Sequence, residues 1–154
     1  VIVSEEDSQG GTTRTTTAYR DRVASVQEVY TRVSYDGVNF ERTYRPDPPV
    51  ITLVYPLTVG RDWHGSWKGD VSGDYEAAVA SNESVTVGGR HIATRKVFSV
   101  TNFRGEFQGR ADLTAWIDPQ TLAVVRAKGV VHLKSSYGGY NTKFEMILSS
   151  GPSY

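Results

Sequence analysis

From residue 74 onward the chain is a succession of long alternating runs separated by tight-turn chemistry, and that pattern leaves few folds open. The runs are DYEAAVASNESVTV (74–87), RHIATRKVFSVTNF (90–103), EFQGRADLTAWI (106–117), TLAVVRAKGVVHLKSS (121–136) and YNTKFEMILSS (140–150). Between them lie Gly88-Gly89, Arg104-Gly105, Asp118-Pro119-Gln120 and Gly138-Gly139. Period-two side chains stand on opposite faces of a strand, and glycine pairs supply the positive φ that two-residue hairpins need. The expectation is a meander of consecutive antiparallel hairpins.

Those loops set a register. Two-residue turns at Gly88-Gly89 and Arg104-Gly105 place Val79 opposite Phe98 and Phe98 opposite Ala111. A three-residue loop over 118–120 places Ala111 opposite Ala127 and Leu113 opposite Val125. Gly138-Gly139 then sets Leu133 against Phe144. Every step keeps the apolar set on one face, leaving Arg110, Asp112, Lys128, Lys143 and Glu145 on the other. A one-residue slip would reverse a strand, so one face reads as core and the other as water. Strands of roughly 10 to 14 residues are longer than the usual length. The expected fold is therefore all-β: a highly curved antiparallel meander sheet or open half-barrel. A row of small residues on the inner face (Gly109, Ala111, Ala115, Ala123, Ala127 and Gly129) permits tight coiling and leaves volume for something else to fill.

Upstream the pattern is looser. Residues 1–17 are rich in Gly, Ser, Thr and acids and read as a flexible leader or linker, though the threonines could also join a sheet edge. Residues 18–154 then form a single β domain. Tyr19, Val23, Val26, Tyr30 and Val33 fall at helical spacing, whereas Val29, Thr31, Val33 and Tyr35 alternate. The reading is a strand over 25–35, with an N-terminal helix over 18–32 as its rival. Asp36-Gly37 marks a hairpin, and Pro46, Pro48 and Pro49 stop the ladder before VITLVYPL resumes it. In YPLTVGRDWHGSW, Pro56 ends a strand, Gly60 turns, and Trp63, Gly65 and Trp67 share a face. The two indoles either cap the open end of the sheet or stay exposed as a sugar or lipid contact.

Composition removes several function classes. Lys+Arg and Asp+Glu are both 17 and no basic run occurs, so no field draws nucleic acid to the chain. There is no cysteine, hence no disulfide, thiolate metal site or cysteine nucleophile. No window approaches the roughly 18 apolar residues of a transmembrane helix. His64, His91 and His132 lack partners at ligand spacing, and Asp70 and Asp74 lack the pattern of a calcium loop, so neither metal nor cofactor is expected. The chain begins at Val1 rather than methionine, which hints at a removed upstream segment.

What remains is the inner face. If the volume above the small residues is hollow, an apolar ligand would rest on Trp63, Trp67, Lys96, Phe98, Ala111, Leu113 and Ala127. If it is filled, the same residues are core. Lys96, with Glu83 diagonal to it, either lines a polar pocket or reaches water from an open end of the sheet.

The order Y-x-P-x-P-P, YPLTVGRDW, ESVTVGGRHIATRKV and TAWIDPQTLAVVRAKG resembles bacterial envelope and secreted domains of unknown function. The residues that carry the likeness are Pro56, Leu57, Gly60 and Trp63; Gly88 and Gly89; Trp116, Asp118 and Pro119; and Arg126 and Lys128. It spans about residues 44–150. More remotely the outline is similar to the open half-barrels of bacterial lipoprotein carriers, whose apolar hollow is covered by helices. The resemblance implies an extracytoplasmic protein and supplies no catalytic residues. The expected function is a non-enzymatic binding module for a lipid or other apolar or amphipathic molecule. The alternatives are a structural or partner-binding domain of the cell envelope, and an enzyme built around Lys96 and Glu83.

Overall fold

The computed structural model describes residues 1–8, 11–136 and 138–148, and among them the secondary structure is all strand. One antiparallel sheet has the order β1 (Ile2–Ser8), β2 (Gly11–Arg20), β3 (Val23–Tyr35), β4 (Val38–Tyr44), with β5 (Val50–Val54) also paired to β3. The other is a six-stranded meander: β6 (Asp62–Trp67), β7 (Val71–Val87), β8 (Arg90–Gly105), β9 (Gln108–Ile117), β10 (Val124–Ser135) and β11 (Gly138–Ile147). The meander is thus as the turns foretell. Neither sheet closes or curls strongly, so the half-barrel gives way to two open sheets.

The N-terminal third corrects the leader expectation and decides between the two readings of 18–32, where the strand expected over 25–35 lies within β3. Residues 2–8 and 11–17, expected as a leader, pair with each other from Ile2–Thr17 to Ser8–Gly11. The 18–32 segment is strand, not helix, because the chain reverses at Asp21-Arg22 with φ of 51° and 68°. Two non-glycine residues in the left-handed region carry no glycine signal, which is why the hairpin is hard to see in the sequence. Asp36-Gly37, at φ 49° and 79°, makes the expected turn between β3 and β4. β4 and β5 lie end to end along the same edge of β3, on either side of Pro46, Pro48 and Pro49. The proline loop is anchored across to the other sheet, where Asp47 and Lys68 exchange backbone hydrogen bonds of 3.1 and 2.8 Å.

Register in the meander departs from expectation at identifiable points. Gly88-Gly89 does form a two-residue turn, closing Val87 on Arg90. Below it, however, the ladder shifts between Val79 and Ser81, where Ala80 is an extra residue. Val79 therefore faces Val97, and Phe98 faces Ala78. The β8–β9 connection is longer than Arg104-Gly105 alone: Phe103 pairs with Gly109, so Phe98 faces Thr114 and Ala111 faces Thr101. The β9–β10 loop spans 118–123 and includes Ala123, with Asp118 Oδ1 accepting from Gln120 N at 2.8 Å and Oδ2 from Thr121 Oγ1 at 2.9 Å. Ala127 consequently faces Ala115, and Leu113 faces Gly129. The last ladder closes at Ser135–Gly138, ahead of Gly138-Gly139, so Leu133 meets Tyr140 and Gly129 meets Phe144.

The Ala80 bulge gives the meander two cores. Trp63, Trp67, Tyr75, Ala77, Val79, Val97 and Ile117 pack toward Ala24, Leu53 and Leu57 of the first sheet and its β5–β6 connection. Val85, Val87, Ile92, Trp116 and Val125 form a separate cluster. Trp116 and Ile117 are consecutive strand residues, so the two cores lie on opposite faces. A bulge inserts one residue and lets β7 change which face its odd-numbered side chains serve. Fully buried Val79 and Val125 each contribute about 1.5–3 kcal/mol to their clusters.

Candidate functional site

The sheets meet along β5 and β6 and part beyond Trp67, leaving an apolar cleft of about 600 Å³. The first sheet contributes Val26, Val29, Tyr44 and Val50; the second contributes Trp67, Val71, Thr101, Phe103 and Leu133; Asp70 and Phe107 come from turns. That volume is in the range of sites for small molecules, roughly 300–1,000 Å³.

Local sequence explains each wall. Trp67 lies over Gly73 on the neighbouring strand, where a Cβ would collide with the indole, and Tyr75 lies over Gly65 in the same way. Glycine opposite an aromatic lets the ring lie flat on the sheet. The Trp67 ring meets Phe103 edge-on at 5.8 Å, and its Nε1 donates to Val71 O at 2.8 Å. Tyr75 Oη accepts from Ile51 N at 3.1 Å, a hydrogen bond that ties β5 onto the meander. At the cleft mouth, Glu106 N donates to Asp70 O at 3.0 Å and Arg42 pairs with Glu106 at 3.5 Å.

Tyr44 is the polar feature of the cleft. It ends β4, packs edge-on against Phe107 at 5.9 Å, and its hydroxyl is buried without a hydrogen-bond partner among the described residues. Burial raises its pKa, Glu106 and Asp70 raise it further, and Arg42 opposes them. The phenol is therefore neutral at ordinary pH, with a proton to donate. A buried hydroxyl left unpaired costs about 1–3 kcal/mol.

The residues expected to hold a ligand separate into three places. Trp63 and Trp67 are buried in the inter-sheet core rather than exposed as a contact patch, and Trp67 also lines the cleft. Ala111 and Ala127 lie on that same face, and Leu113 packs with Phe144 over Gly129, occupying the space where its Cβ would be. The small-residue row is thus partly filled. Lys96 and Phe98 are on the opposite face, because the Ala80 bulge and the longer β8–β9 turn each shift β8 by an odd number of residues. Phe98 is 46% exposed beside an open trough shared with Val100, Thr114, Lys128 and Val130.

Lys96 does meet Glu83, at 2.9 Å, with Trp116 between them and the second core. Trp116 Nε1 donates to Glu83 Oε2 at 2.6 Å, and Lys96, Arg126 and Lys128 lie 5.3, 4.6 and 5.7 Å from the indole rings. The Trp116 hydrogen bond, then that from Lys96, lowers the Glu83 pKa to about 2. Such a carboxylate is a poor proton acceptor near neutrality. The group holds Trp116 in place rather than presenting an acid and a base. His91 and His132 bond Thr86 and Asn141 through Nδ1 at 3.0 and 2.7 Å, on separate hairpins. No group of three or more metal-ligating side chains converges among the described residues.

Sequence reasoning missed Tyr44, Val26, Val29, Phe103 and Phe107. Tyr44 and Phe107 each sit at a strand end beside a turn, a faint signal in the sequence. Comparison with family models, with curated proteins and with solved structures finds no match for this chain.

Proposed function

We propose that this protein is a non-enzymatic binding module for a neutral amphipathic small molecule, such as a lipid, held between the two sheets. The apolar part of the ligand lies among Val26, Val29, Val71 and Phe103, and a hydrogen-bond acceptor on it takes the Tyr44 proton. The unpartnered Tyr44 hydroxyl in a cleft with mostly apolar walls is the observation that carries this reading. Asp70 and Glu106 near that hydroxyl oppose an anionic head group, and Arg42, paired with Glu106, offsets part of their charge. An extracytoplasmic setting belongs to the same reading and rests on the resemblance of the turn motifs alone.

Native mass spectrometry of protein purified gently from its own host tests the proposal. A co-purifying apolar molecule is expected, retained in reduced amount by Tyr44→Phe and lost in Thr101→Phe, which fills the cleft. A ligand-free wild-type mass, with no shift of tryptophan fluorescence on addition of neutral lipid micelles, overturns it. The rival role, a structural or partner-binding domain, is favoured by a different observation: the exposed apolar side chains of β11.

A further inference from the structure

The meander ends in a long free edge. β11 pairs with β10 along Gly138–Ile147, and its outer side has no partner strand among the described residues. On the face it shares with the cleft, Tyr140, Phe144 and Met146 are 58, 39 and 50% exposed. An unpaired edge with one apolar face is a template for another strand, and proteins usually blunt such edges. The other edges here are blunted. β1 carries Glu5, Glu6 and Asp7 in succession, β6 has six residues, and β4 and β5 are separated by prolines.

We infer that the β11 edge pairs with β11 of a second copy of this chain, joining two meanders into one continuous sheet. The strand sequence pairs unlike charges in one antiparallel register. Directly opposed residues share a face, so the apolar faces stay together only when a residue lies opposite itself at the two-fold axis. Centring on Lys143 sets lysine against lysine, and centring on Glu145 sets glutamate against glutamate. Centring on Phe144 sets each Lys143 opposite the other copy's Glu145, twice, with Phe144 against Phe144 and Met146 against Thr142. Centring on Thr142 opposes no unlike charges. Glu145 meets its own Arg126 through Oε1, and the exposed carboxylate can accept from a second cation. The pairing is isologous and closes at two copies, leaving no further β11 edge to extend a fibre.

The test is charge complementation followed by sedimentation velocity. The full chain is expected to show a concentration-dependent dimer. Lys143→Glu and Glu145→Lys, each placing like charges opposite twice, weaken it at least about tenfold. An equimolar mixture of the two variants restores unlike pairs at both positions, and a heterodimer near wild-type affinity is expected, with β11 amides protected from hydrogen exchange. That recovery also excludes misfolding of either variant. A wild-type chain that stays monomeric up to about 1 mM, or a mixture that associates no better than each variant alone, overturns the inference.

Discussion

Deleting Ala80 is expected to be better tolerated than deleting Ala78, although the two products have the same composition and length. Val79 pairs with Val97, and Ser81 pairs with Lys96 on the other face, with Ala80 in excess between them. Without Ala80, residues 79 and 81 become consecutive, the ladder becomes regular, and both cores keep their side chains. Without Ala78 the ladder can also become regular, but Val79 then takes the outward place of Ala78 and Ala80 takes the inward place of Val79. Val79 is 1% exposed. Exchanging it for alanine removes two buried methyl groups, about 1.6 kcal/mol at 0.8 each. The residual cavity adds to that, so the two deletions should differ by about 2–3 kcal/mol. For a chain of this size that is about 4–12 °C in Tm. Urea titrations followed by tryptophan fluorescence, with matching m-values, measure the difference directly. If the Ala78 deletion is as stable as the Ala80 deletion, the extra residue is not where the ladder shift places it, and the two-core account fails.

Three other perturbations test separate parts of the structure. Tyr44→Phe removes an unpartnered buried hydroxyl, so the ligand-free protein should gain about 1 kcal/mol in a urea titration while losing ligand retention. A loss of stability would mean that the hydroxyl is satisfied. Gly65→Ala places a Cβ 2.5 Å from Tyr75 Oη, displacing the ring and its bond from Ile51 N, and should destabilise by about 1–3 kcal/mol in the same titration. Glu83 has a folded-state pKa of about 2 against an ordinary value of 4.5, so its contribution is present above 4.5 and lost as pH falls through about 2. Thermal melts across that window should therefore fall more steeply for the wild type than for Glu83→Gln, and parallel curves would refute the Trp116–Glu83–Lys96 coupling.

The strand order of the meander is legible in its turns, but the facing of β8 is not. Gly88-Gly89 and Asp36-Gly37 adopt the positive φ that their composition advertises. Ala80 lies within AAVAS, where no glycine or proline marks an extra residue. That bulge moves β7 against β8 by one residue, and the longer turn after Arg104 moves β8 against β9 by three. Both shifts are odd, so they cancel: Val79 and Ala111 share a face as expected, and only β8 is turned over. The later shifts, four residues each at β9–β10 and β10–β11, are even and leave the facing unchanged. Apolar consistency could not expose the error, because β8 offers Val97 and Phe103 on one face and Phe98 and Val100 on the other. The sequence alone therefore puts Lys96 and Phe98 on the inner face. The cleft is hidden at a different level. Period two tells which side chains of a strand stand together, but not which face of one sheet meets the other. Tyr44 and Phe103 belong to different sheets, about 60 residues apart, and only the β5–β6 junction brings them to the same opening.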